Sequence, residues 1–140
     1  MRRVTGAILP PLHELELAPR RNGFRVAPPS WPGTAHAEAP VFHTDADQLW
    51  RTWMDFAARQ PRMVLIGQDE HERRSLHVQR SPVFRFADLV RAAVVPLGIR
   101  RSSLILDSRS RFGWWDLGVN RRRVLRWIHE MQVMAQYSAG

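Results

Sequence analysis

The chain contains no cysteine and no lysine, a single tyrosine, and no uninterrupted apolar run near the ~20 residues needed to span a bilayer. Without cysteine there is no disulfide, no thiolate nucleophile, no Cys-ligated zinc or iron–sulfur centre and no lipid-modified N-terminal Cys. Without lysine all 21 basic residues are arginine, which removes Schiff-base chemistry, a lysine general base and a Walker-type phosphate loop. The sequence also lacks a His-Glu-x-x-His helix, a Gly-x-Ser-x-Gly elbow and a dinucleotide glycine fingerprint. Its six histidines, at 13, 36, 43, 71, 77 and 129, show no metal-ligand spacing. Neither a metal nor a cofactor is expected.

What is present fits one folded unit. A chain of 140 residues with 44% apolar content buries roughly two-thirds of its unfolded surface in a single core. The formal charge of +8 is uneven, with +2 in residues 1–40, +2 in 41–100 and +4 in 101–140. A field of this sign favours anionic partners, either a small molecule or an anionic membrane surface, and a protein partner stays open.

Seven of the ten prolines fall in residues 1–40, which read as an extended N-terminal arm reaching the core through Phe24, Val26 and Trp31. Met1-Arg2-Arg3 followed by Val4 to Leu9 has the start of a signal peptide, but Pro10 and Pro11 cut the apolar stretch short, so it reads as uncleaved. Residues 41–140 are expected to form the domain. Thr44 is a candidate cap for a helix running to about Arg59, with Asp45 and Asp47 in its first turn and Leu49, Trp50, Trp53, Met54 and Ala57 on one face. Four strands follow, near 62–68, 73–81, 85–95 and 102–109, joined by connections short enough to require an antiparallel meander. A last helix is expected from Asn120 as cap to about 134–136, with Val124, Trp127, Ile128, Met131 and Met134 on its apolar side. The fold class is therefore α+β: about four antiparallel strands, two helices on one face, and the proline-rich arm.

The last strand and helix meet in a corner, residues 108–124, that holds five arginines, two glycines and two tryptophans. Period-two alternation puts Leu104, Leu106, Ser108 and Ser110 on the helix side and Ile105, Asp107, Arg109 and Arg111 on the other, where Asp107 suits a surface ion pair with its neighbouring arginines worth under ~1 kcal/mol. Arginines 121–123 oppose the helix dipole, a conflict that a bound anion or pairing with carboxylates such as Asp116 or Glu130 relieves. Arg80, Arg109, Arg111, Arg121 and Arg123, with Asp116 and Asn120, are accordingly the candidate ligand-binding residues, since forked guanidinium donors grip carboxylate or phosphate in two places. The structural reading stands beside it: Gly113 and Gly118 permit a tight turn, Asp116 accepts backbone N–H groups, and Asn120 caps. Trp114 and Trp115 are the candidate membrane contacts. Nucleic acid is disfavoured, because the cations on one track are few and Asp107 and Asp116 interrupt them. The alternative function is a small hydrolase or lyase with Asp88 or Asp116 as base and Arg109 stabilising negative charge.

Three ordered stretches, Arg80 in a strand, Phe84-Arg85-Phe86-Ala87-Asp88, and Ser108 through Val124 as Ser-Arg-Ser-Arg-x-Gly-x-x-Asp-x-Gly-x-Asn-x-x-Arg-Val, carry a family resemblance. The chain resembles the uncharacterised domain of unknown function 1499 over about residues 19–136, with Pro19-Arg20-Arg21-Asn22 and Ala39-Pro40-Val41-Phe42 as weaker landmarks. Trp115 and Asp107 depart from the pattern. The resemblance implies a bacterial or photosynthetic setting and the same fold and corner residues, but no agreed activity. With no cysteine and no spanning segment, a cytoplasmic protein is expected, with attachment to a membrane surface as the variant to test.

Overall fold

The first helix shows how directly residue spacing becomes packing. In the computed structural model, which describes residues 2–4, 22–83, 85–110 and 118–139, α1 spans Ala46–Ala58 and buries Leu49, Trp50, Trp53, Phe56 and Ala57 along one side. Its cap is Asp45, not Thr44: the Asp45 carboxylate accepts the Gln48 N–H at 2.8 Å from an extended backbone. Thr44 instead lends its carbonyl to the Ser102 hydroxyl at 2.7 Å, tying the helix start to the sheet.

The expected meander is present as β4 (Met63–Asp69), β5 (Arg74–Arg80), β6 (Ala87–Gly98) and β7 (Arg101–Ser110), each antiparallel to the next. The sheet is nevertheless wider than the four strands expected. β2 (Gly23–Ala27) pairs antiparallel with β7, β3 (Ala37–Glu38) pairs parallel with β2, and β1 (Arg2–Val4) pairs with β4, giving the order β1-β4-β5-β6-β7-β2-β3. β2 is short and sits among prolines, so its alternation is too brief to read. Its first residue explains its fit: a Cβ on Gly23 would lie 2.7 Å from the Arg109 Cβ and 2.9 Å from the Ser108 carbonyl. Residues 22–40 of the proline-rich segment thus contribute strands to the same sheet.

Alternation sorts the two faces. Leu104 and Leu106 join Val90, Ala92, Val94, Phe24 and Val26 beneath α1 and α2 (Val119–Ala139), which supplies Val124, Trp127, Ile128 and Met131. Trp53 and Trp127, both fully buried, meet with ring centroids 6.1 Å apart, and the Trp53 Nε1–H donates to the Ser75 hydroxyl at 2.8 Å. His77 sits edge-on to Trp53 at 5.7 Å, and burial pushes its pKa down from 6.5 to about 4. On the second face Ile105 packs with Ala27 and Ala93 under Trp31, Ala35 and Val95.

Asp107 corrects a surface expectation. It is 3% exposed, and the residue directly opposite it on β2, Arg25, donates Nε–H to its carboxylate at 2.8 Å while Arg91 approaches at 3.6 Å. The pair is buried, and the cations it meets, Arg25 and Arg91, come from the neighbouring strands β2 and β6. A strand unseen in the sequence supplied the cation.

Candidate functional site

α2 begins one residue before the expected cap. Gly118, at a φ of 77°, accepts the Arg122 N–H at 3.1 Å, so Asn120 lies inside the first turn and its side chain is turned to the sheet. There its carboxamide is fully used. The oxygen accepts from the Ser108 hydroxyl at 2.6 Å and from Arg123 Nη1 at 2.7 Å, and the nitrogen donates to the Asn22 carbonyl at 3.0 Å and the Ser110 hydroxyl at 3.2 Å. One side chain therefore joins β7, the residue before β2 and α2. Its complete burial is tolerable because every donor and acceptor has a partner.

Arg123 extends this network. Its Nη1 also donates to the Asp88 carboxylate at 2.7 Å and to the Ser108 hydroxyl at 3.1 Å, and its guanidinium lies 5.9 Å from the Trp127 ring centroid. The cation that opposes the helix dipole is thus compensated by a buried carboxylate from β6. Arg121 points elsewhere, 5.7 Å from the Phe24 ring centroid.

Beside the network lies a cleft of about 190 Å³ lined by Pro61, Arg62, Gln79, Val119, Arg122, Arg123 and Arg126. Val119, Arg122, Arg123 and Arg126 follow the i, i+3, i+4, i+7 spacing of one helix stripe. Arg62 arrives from the α1–β4 connection in the left-handed region, φ 55°, with its Nε–H on the Arg80 carbonyl at 3.0 Å. Gln79 is buried, and its amide nitrogen donates to the Pro61 carbonyl at 3.0 Å. Four arginines thus line a space beside the positive end of α2. The described residues that line it present arginine, glutamine, proline and valine side chains, a set suited to an anion.

The sequence-derived residues are divided by this geometry. Asn120 and Arg123 lie in the buried network, and Arg123 also lines the cleft. Arg80 is exposed at the end of β5 with Nη1 3.3 Å from the Arg85 carbonyl. Arg109 pairs with Leu89 and Gly23 on the second face, away from the cleft. Asp88 pairs with Ser110 on the helix side, so Asp88 and Arg109 point to opposite faces and cannot flank one substrate atom. Arg111, Trp114, Trp115 and Asp116 lie outside the described residues. Arg62, Arg122 and Arg126 were missed, although the helical spacing of the last two with Arg123 was readable in the sequence. Among the described residues no three His, Asp or Glu side chains are grouped as a metal site, and no helix is long and apolar enough to cross a membrane.

A seven-stranded, largely antiparallel sheet with two helices on one face, pinned at a strand-to-helix corner by a buried Asn–Arg–Asp network, defines an α+β domain with an arginine-lined cleft. The chain belongs to the family described as Protein of unknown function (DUF1499), whose family model matches residues 19–131. No curated protein and no solved structure shows a significant match.

Proposed function

We propose that the domain is a non-enzymatic module that binds an anionic group in the cleft beside the start of α2. The observation that carries this reading is the lining itself: Arg62, Arg122, Arg123 and Arg126 converge on one space of about 190 Å³. Four cations with planar, forked donors suit a phosphate or a carboxylate, and Arg123 is held in place by its buried partners. The reading moves the contact from Arg80 and Arg109 to Arg62 and Arg126 and keeps Arg123. A hydrolase or lyase reading based on Asp88 gains no support, because that carboxylate is already bonded to Arg123 at 2.7 Å.

Thermal-shift titration with inorganic phosphate and with citrate tests the proposal. Stabilisation of the wild type is expected at low ionic strength, reduced at least about fivefold in apparent affinity by an Arg62→Ala, Arg126→Ala double variant. Both residues are exposed, so the variant should retain the wild-type melting temperature without ligand. Equal stabilisation of the two proteins, or none of either, would overturn the reading.

A further inference from the structure

The same end of the sheet carries a second feature that the cleft does not use. In the connection between β5 and β6, Val83 is 76% exposed and Phe86 64% exposed. This exposure is not fraying. The Ser81 N–H donates to the Phe86 carbonyl at 3.0 Å, and the Ser81 hydroxyl accepts the Phe86 N–H at 3.0 Å, closing the turn at its base. Arg80 precedes the two apolar residues and Arg85 lies between them, both exposed, and Arg80 Nη1 reaches the Arg85 carbonyl at 3.3 Å. Two strand positions inward, Val64 is 57% exposed and pairs with Val78, which in turn pairs with Leu89, so an apolar row crosses β4, β5 and β6 behind the turn.

The charge around this tip is one-sided. Residues 55–62, 79–88, 109–110 and 118–126, which topology places at this end, hold nine arginines against two carboxylates, Asp55 and Asp88, the second already paired with Arg123. The remaining described residues hold nine arginines and eight carboxylates. Single exposed apolar residues need no explanation, but a clamped connection that presents two of them beside arginines, at the positive end of the molecule, matches an anionic bilayer: apolar tips for the headgroup–acyl boundary and guanidiniums for the phosphates.

We propose that this end of the domain docks on an anionic phospholipid bilayer, with Val83 and Phe86 entering the interface and Arg62, Arg80 and Arg85 contacting headgroup phosphates. The surface is distinct from the cleft's interior, and Arg62 and Arg80 join the two: the Arg80 N–H donates to the Arg62 carbonyl at 3.1 Å. Co-sedimentation of the full chain with phosphatidylcholine vesicles containing about one-quarter phosphatidylserine is the test, with pure phosphatidylcholine as the control. Binding to the anionic vesicles alone is expected, weakened about tenfold by Phe86→Ser or Val83→Ser and about fivefold by Arg85→Ala. The serine variants alter exposed side chains, and an unchanged melting temperature confirms that they are folded. No binding at low ionic strength overturns the proposal. So does binding that falls with Arg85→Ala or added salt but ignores both serine variants, since that is charge attraction without insertion. Preferential binding of a single-stranded oligonucleotide, with vesicles displaced by it, overturns it in favour of a nucleic-acid surface. Phosphate stabilisation that depends on Arg126 and survives Phe86→Ser keeps the cleft reading whatever the vesicles show.

Discussion

Asn120 fills all four hydrogen-bonding positions of its carboxamide inside the protein, and three separate chain segments depend on it. Asn120→Ala would remove the acceptor of the Ser108 hydroxyl and one acceptor of the Arg123 guanidinium in a buried site, while the Asn22 carbonyl keeps the Ser110 N–H at 2.9 Å. Desolvated groups left this way make the loss larger than a typical exposed substitution, about 2–4 kcal/mol. Urea unfolding should show the midpoint falling with an unchanged slope. A change under about 0.5 kcal/mol would mean that water enters and replaces the amide. The residue was singled out in the sequence for a different job, as a helix cap, because an Asn before a helical pattern has that role whenever its backbone is extended. Only the helix starting one residue sooner, at Val119, turns the same side chain toward Ser108.

The elements were legible in proportion to the length of their pattern. α1 and the four strands of the meander carry enough periodicity to be placed within a few residues, and the alternation from Leu104 to Ser108 correctly divided the two faces. β2 was legible only as Phe24 and Val26 reaching the core, because five residues between prolines are too few to announce a strand and the partner strand β7 lies more than 80 positions away. That long-range pairing also hid the arginine opposite Asp107. The cleft was half legible: the stripe of Arg122, Arg123 and Arg126 follows from helical spacing, but Arg62 joins it only through the fold. Gly23→Ala tests how closely β2 is held. A new Cβ 2.7 Å from the Arg109 Cβ forces β2 outward, at about 1–3 kcal/mol. Amide exchange should then rise in 23–27 well before it rises in β5 and β6, and uniform protection would mean that the pair simply slides.

At the scale of the whole molecule, His77 links stability to acidity. It is buried beside Trp53, and its pKa is pushed down to about 4 by the loss of solvent, against 6.5 in the unfolded chain. The unfolded state therefore binds the proton first, and the contribution present above pH 6.5 disappears as pH falls from 6.5 to about 4, by up to about 3 kcal/mol. Urea unfolding across that window should show the loss, and His77→Phe should flatten it. An equally steep dependence in the variant would place the titrating group elsewhere. The two short outer strands have a different consequence. An open sheet ends in unsatisfied amides and carbonyls that invite another chain to add itself, and β2 would offer a five-residue template. β3 covers it with two residues and ends at Glu38, while three-residue β1 lies along β4. The outermost described strands are thus three and two residues long, poor templates for a further strand, which disposes concentrated protein to stay dispersed and not to grow into fibrils.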